Sequence, residues 1–390
     1  MNENQNLILV VDDEPDLEFL IQQKFRKKIS SNEYEFLFAQ NGAQAFDIVN
    51  NNEMINLVLT DINMPVMDGL TFLTKINELK NRLLRSIIVS AYGDMENIRT
   101  AMNRGAYDFI TKPINLRDLE ITIEKSLKEI QTYKQAIKSR EKLIAFQQEL
   151  DIATTIQTSI LPKKFPAFPN RPEFDIYAKM KTAKEVGGDL YDFFLIDKYR
   201  LGIVIGDVSG KGIAAALLMA VCRTLIKATA SKGLPTDRVL YEVNNILVNE
   251  SPANMFITLF YGILDTRNGS FEYSNGGHNL PCLITEFGMI EELENIGGLL
   301  LGAVSDVEYE SNIIKLNKNE SIFLYTDGIT ESFNKDDIEF EEYRLFETLK
   351  KNSKENIKEI VENVIKEVIT FSDGIQQSDD MTCLSLRYLK

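Results

Sequence analysis

The chain has 390 residues, 44% of them apolar, enough for two or three domains that each bury a core. Its formal charge of −15 argues against nucleic acid or an anionic membrane as partner, because both select clustered Lys and Arg. With a single histidine, His278, and three scattered cysteines, Cys222, Cys282 and Cys383, a histidine relay or multi-histidine metal site is nearly excluded, so any metal must be held by oxygen. The odd, widely spaced cysteines suit free thiols in a reducing cytoplasm, and the opening MNENQNLILVV lacks the basic stretch and apolar length of a signal peptide or anchor.

Apolar runs at residues 7–11, 35–39, 56–59, 86–89 and 107–110 alternate with helix-length segments. That rhythm predicts a doubly wound parallel five-stranded α/β domain over residues 1–125, with its site at the carboxyl ends of the strands. Asp12 and Asp13 follow the first strand, Asp61 follows the third, Ser90 ends the fourth and Lys112 ends the fifth. Singly, these residues read equally well as helix caps, turn residues or an ordinary ion pair. Together, three acids at one sheet edge make a hard-oxygen set suited to Mg²⁺, and a lysine beside them can hold an anion.

Over its whole length this segment resembles the receiver domain of two-component response regulators, with VVDDEP, LTDINMPVMDG, VSA and FITKP in that family's order and spacing. The resemblance implies Asp61 as phosphoacceptor, with Mg²⁺ held by Asp12, Asp13, Asp61 and the Asn63 carbonyl. It also implies Ser90 and Phe109 as a switch pair, Lys112 as the phosphoryl-binding residue, and a histidine kinase or phosphotransfer protein as phosphate donor. Phosphorylation adds about −1.5 to −2 charges and new acceptor oxygens for Lys112, Mg²⁺ and the Ser90 hydroxyl to bind.

From residue 116 to 161 there is neither Gly nor Pro, and Ile123, Ile130, Ile137 and Ile144 recur every seven residues. The repeat predicts a helical linker roughly 70 Å long whose stripe forms a coiled coil in a homodimer. The impure facing positions Ser126, Tyr133, Lys134, Arg140 and Glu141 keep open the alternative of two amphipathic helices, each lying on its own domain.

Beyond Pro162 the pattern changes to strands in runs with helices set apart, which predicts antiparallel sheets under helical layers in a domain over residues 162–390. Asp189 in VGGDLYDFF, Asp207 ending the strand of IGDVSGKG, Asp327 ending that of LYTDGITES and Asp379 opening that of SDDMTCL occupy comparable strand mouths. Each alone reads as a turn carboxylate. Together they make a cluster that cannot stay ionised without cations, and an all-oxygen set points to Mg²⁺ or Mn²⁺, a pair of which can activate water for phosphoryl transfer. GDVSGKG is no P-loop, since its glycine spacing is short and Gly212 follows the lysine. GKGIAA lacks the second parallel strand and terminal acid of a dinucleotide fold.

Residues from about 150 to 390 resemble the PPM-type, metal-dependent serine/threonine protein phosphatases, in the branch of the sporulation phosphatase and the stress-response activators of sigma-factor pathways. The matching motifs are AxxIQxxILP at 153–162, EVGGDLYDF, GDVSGKG, NGGHNLP, YTDGITES and DDMT. The resemblance implies a four-layer αββα sandwich with two Mn²⁺ or Mg²⁺ ions. One would be held by Asp189, Asp207 and the Val208 carbonyl, the other by Asp207, Asp327 and Asp379, with Asp380 the weaker candidate. It further implies in-line hydrolysis of phosphoserine or phosphothreonine on a regulatory protein, usually an antagonist of an anti-sigma factor. No histidine follows Asp207, so the leaving-group acid is unassigned; His278 in GGHN reads as structural and Lys184 as a solvated surface lysine. The expectation is a cytoplasmic phosphoprotein phosphatase controlled through Asp61; its rival is a phosphorylation-controlled scaffold built on an inactive phosphatase fold.

Overall fold

The computed structural model describes residues 5–81, 83–91, 93–250 and 255–390. The chain divides into two units, Met1–Ala145 and Phe146–Lys390. The first contains β1 (Asn6–Val11), α1 (Pro15–Lys24), α2 (Arg26–Ser30), β2 (Tyr34–Ala39), α3 (Gly42–Asn50), β3 (Ile55–Asp61), α4 (Gly69–Glu78), β4 (Arg85–Ala91), α5 (Met95–Asn103), β5 (Asp108–Lys112) and the start of α6 (Leu116–Ile160). All neighbouring strands pair in parallel, in the order β2-β1-β3-β4-β5. Such a sheet is covered on both faces, which is why β1 and β3 are near-continuous apolar runs. The register that pairs Val11 with Thr60 and Asp61 with Val89 brings the ends of β1, β3 and β4 to one edge.

The 45-residue α6 is unbroken, as the absence of Gly and Pro requires. Its seven-residue stripe, however, is divided between two environments. Leu119, Ile123, Leu127 and Ile130 are buried in the receiver core with Ile8, Leu57 and Ile110, whereas Ile137 and Ile144 are 38% and 50% exposed. A helix packing on a sheet and a coiled-coil seam share i, i+4, i+7 spacing over a few turns, so the repeat could not separate them. Only the later isoleucines remain candidates for a seam. Lys24–Glu120 and Lys28–Glu124 ion pairs, at 2.7 and 2.5 Å, fasten the early turns of α6 to α1 and α2.

The second unit contains the end of α6, then β6 (Phe174–Lys181), β7 (Leu190–Leu195), β8 (Arg200–Val208), α7 (Ile213–Ala230), α8 (Thr236–Glu250), β9 (Ile257–Asp265), β10 (Ser270–Gly276), β11 (Cys282–Ile284), β12 (Ile290–Glu292), β13 (Asn312–Lys315), β14 (Ser321–Tyr325), α9 (Asp327–Thr330), α10 (Glu341–Asn352), α11 (Ile357–Ser372) and β15 (Met381–Tyr388). Two antiparallel sheets form, β13-β10-β9-β8-β7 and β12-β11-β14-β15-β6. Residues of both, such as Ile203, Ile205, Leu324 and Leu384, share one core. Helices α7 and α8 cover the first sheet and α10 and α11 the second, giving four layers. Helix α7 has the length and mean hydropathy (1.7) of a membrane span, yet it packs Ala215, Leu218, Met219, Cys222 and Ile226 into this core. Adjacent strands β7 and β8 begin and end at one rim, and β14 and β15 do the same in the facing sheet.

Candidate functional site

In the receiver unit, Asp12, Asp13 and Asp61 each offer a carboxylate oxygen within 4.8 Å of the others, and among the described residues they are the only acids, cysteines or histidine grouped so closely in threes. Lys112 Nζ lies 2.6 Å from Asp61 Oδ2 and 3.2 Å from both Asp12 Oδ2 and Glu14 Oε1. Burial opposes the charge on Lys112, but these three acids hold the ammonium above its ordinary range. Burial raises the Asp12 carboxyl, against a bond from the Glu14 amide and the nearby ammonium. Asp61 Oδ1 accepts from the Ile62 amide at 2.6 Å and the Asn63 amide at 3.4 Å, which leaves Oδ2 facing Lys112. Ser90 is fully buried, its hydroxyl 3.5 Å from Asp94 Oδ2, and the Phe109 ring is 39% exposed. Two buried acids, Asp12 and Asp61, with the exposed Asp13 and one lysine, fit a hard divalent ion and a phosphoryl group.

In the second unit the rims described above bring Asp189 and Asp207 together from β7 and β8, and Asp327 and Asp379 from the β14–α9 and β15 ends. Asp327 does not end a strand as expected: β14 stops at Tyr325, and Asp327 opens α9. The chain passes close to β15 there, and only glycine fits at 328, where a Cβ would lie 2.0 Å from the Asp380 carbonyl oxygen. Asp207 is pushed up to about 7, first by burial and then by Asp327 and Asp379, against a hydrogen bond with Asp189. Burial, then Asp207 and Asp380, drive Asp189 well above the carboxylate range, although Thr326 and Thr382 hydroxyls both donate to its Oδ2. Burial and Asp379 raise Asp327. Burial and mutual repulsion thus raise Asp189, Asp207 and Asp327, a strain that either protonation or a cation relieves, although among the described residues no three of these acids come as close together as the receiver acids do.

The two acids of the DD pair have different partners. Asp379 Oδ2 takes a salt bridge from Lys211, while Asp380 turns inward and accepts from the Ala183 and Gly188 amides, each at 2.8 Å. Asp380 therefore shapes the loop of residues 183–189. Gln157, near the end of α6, grips that loop from the other side, donating to the Gly187 carbonyl at 2.6 Å and accepting from its amide at 3.1 Å. No larger residue fits at Gly187, where a Cβ would stand 2.0 Å from Asp380 Oδ2. Gln157, Thr326, Thr382 and Lys211 were not singled out in the sequence, although all four sit inside the motifs AxxIQxxILP, YTDG, DDMT and GKG. His278 Nδ1 lies 3.1 Å from Thr258 Oγ1, and burial drops the ring to about 4, so it is neutral near pH 7. Lys184 is exposed.

Residues 8–124 match the family described as response regulator receiver domain, and residues 197–389 match stage II sporulation protein E (SpoIIE). Sporulation initiation phosphotransferase F of Bacillus subtilis (strain 168) is 34% identical over 127 residues, covering 33% of this chain and 95% of that protein. Phosphoserine phosphatase RsbU of the same organism is 32% identical over 204 residues, covering 51% of this chain and 59% of that protein. The chain spans about half the length of the curated relatives that its second unit matches. The SiaA-PP2C domain of Pseudomonas aeruginosa shares the fold, with a TM-score of 0.57 at 19% identity, covering 63% of this chain and 98% of that one. The chain belongs to the response regulators, and it joins their receiver domain to a second unit that matches SpoIIE and shares the PP2C fold.

Proposed function

We propose that the chain is a metal-dependent phosphatase of phosphoserine or phosphothreonine on a regulatory protein, controlled by phosphorylation of Asp61. The observation that supports the reading is the coupling of Asp207 to Asp189 by a hydrogen bond and to Asp327 and Asp379 by charge, which with burial raises it to about 7. Asp189, Asp207 and the Val208 carbonyl would hold one Mn²⁺ or Mg²⁺, and Asp207, Asp327 and Asp379 the other. Bound there, the ions supply Lewis-acid activation of water and charge for the phosphoryl oxygens. The chain's own residues fix the geometry: Thr326 and Thr382 orient Asp189, and Gln157 and Asp380 hold the loop that delivers it.

In the receiver, Asp12, Asp13, Asp61 and the Asn63 carbonyl would hold Mg²⁺, and Lys112 is placed to bind the phosphoryl group donated by a histidine kinase or phosphotransfer protein. Ser90 and Phe109 are the switch pair. The late turns of α6 form the coiled coil of a cytoplasmic homodimer through Ile137 and Ile144, and the turn bearing Gln157 is the two-state element that orders the Asp189 loop. The substrate class is the phosphorylated antagonist of an anti-sigma factor. The test is phosphate release from a phosphoserine protein in Mn²⁺, with and without beryllofluoride on Asp61, beside an Asp207→Asn control. Release that changes with beryllofluoride and vanishes in the control supports the reading; release indifferent to it removes the control by Asp61; no release in any state transfers the function to a scaffold.

A further inference from the structure

The glycine–lysine loop between β8 and α7 fits neither a P-loop nor a dinucleotide site, and the acidic centre as described leaves it without a task. Gly210 and Gly212 flank Lys211, both at positive φ (94° and 84°), with nothing within 4 Å of where their Cβ atoms would be. Lys211 Nζ stands 2.7 Å from Asp379 Oδ2 and donates to the Ser378 carbonyl at 2.6 Å. Among the described residues it is the one lysine or arginine paired with any of Asp189, Asp207, Asp327, Asp379 and Asp380. Both partners are substantially exposed, at 43% and 36%, and an ion pair in such a setting adds little stability. Holding the fold together is a poor reason for an ammonium here.

Charge balance gives a better one. Two divalent ions would neutralise the four metal-binding carboxylates in full, and Lys211 would then lose its hydrogen-bonded partner Asp379 and keep only the weaker pull of Asp380, which the loop amides already hold, and of Glu331. A phosphomonoester arrives with about −1.5 to −2 charges and needs a donor of this kind. We propose that Lys211 is the substrate-phosphate contact of the centre, an internal counter-ion that neutralises Asp379 until the metal ions claim that carboxylate, and then turns to the phosphoryl oxygens of the phosphoprotein. This rests on the phosphatase reading above.

Two cations that share one carboxylate oppose each other's binding, so the two duties have separate readouts. The full chain and its Lys211→Met and Lys211→Arg variants are titrated with Mn²⁺ alone, following free Mn²⁺ by electron paramagnetic resonance, and then assayed on a phosphoserine protein with inorganic phosphate as inhibitor. In Lys211→Met, Mn²⁺ binds roughly two- to fivefold more tightly once the competing half-exposed ion pair is gone. Its KM and its inhibition constant for phosphate each rise about tenfold, the loss of one charge-assisted hydrogen bond, with kcat less affected. Lys211→Arg stays near wild type in both. Unchanged or weaker Mn²⁺ binding in Lys211→Met, or an unchanged KM, overturns the proposal. A wild-type chain that turns over no phosphoprotein either with or without beryllofluoride refutes the phosphatase reading instead, and the Mn²⁺ titration, which needs no turnover, tells the two failures apart.

Discussion

Replacing Asp207 by Asn probes the electrostatics of the centre without any assay of activity. The Asp207 carboxyl has a folded-state value of about 7 against 3.8 when free, so the folded protein favours its protonated form. Its contribution to stability is therefore greatest below about pH 4 and is lost as pH rises through 7. The rise corresponds to about 4 kcal/mol at 1.36 kcal/mol per pH unit. Asp189 shares that repulsion through its hydrogen bond with Asp207, and an Asn amide can still donate to it. One substitution should then recover roughly 2–4 kcal/mol at pH 8, raising the melting temperature of a domain this size by roughly 5–15 °C. Thermal unfolding in chelator between pH 4 and 8 reads the effect: the variant melts with wild type at pH 4 and above it at pH 8. In millimolar Mn²⁺ the order reverses, because ligand binding stabilises only the chain that retains the site. A difference independent of pH, or a variant less stable than wild type at pH 8 in chelator, would refute the reasoning.

Gly187→Ala places a methyl 2.0 Å from Asp380 Oδ2 and must drive that carboxylate off the loop amides; Mn²⁺ affinity should fall about tenfold or more while far-UV circular dichroism is unchanged. Gln157→Ala strips both partners from the buried Gly187 peptide, a loss of about 1–3 kcal/mol that should appear as a roughly tenfold higher Mn²⁺ midpoint. Asp61→Asn should abolish any effect of beryllofluoride on phosphate release and leave the basal rate in place. Charged residues at both Ile137 and Ile144, which lie outside the receiver core, should yield a monomer by light scattering with the receiver still folded.

Much of the architecture was legible because two signals are strong: near-continuous apolar strands for the buried sheets, and acids at strand mouths for the site. Asp12, Asp13, Asp61 and Lys112 lie at one sheet edge, since Asp61 and Lys112 end parallel strands and Asp12 and Asp13 directly follow another, in a register fixed by the core. Other features stayed hidden because they belong to three-dimensional context. The isoleucine repeat of α6 looks uniform in sequence, but burial divides it after Ile130. Adjacent Asp379 and Asp380 look equivalent, and only the backbone amides of residues almost 200 positions earlier distinguish them. Thr326 and Thr382 resemble ordinary strand residues until Asp189 is seen between them.

The loop of residues 183–189 has no regular structure of its own, and it is anchored by Gln157 at a sequence separation of 30 and by Asp380 at 192. Closing the longer of these contacts carries a large entropic cost that the surrounding sheets must meet before the loop can settle. The centre should accordingly be the last part of its domain to mature. During refolding, sheet formation and core burial should precede the ability to bind Mn²⁺ by a resolvable lag. A chain with β15 still unpaired would be sheet-rich and yet unable to hold Mn²⁺ at this centre.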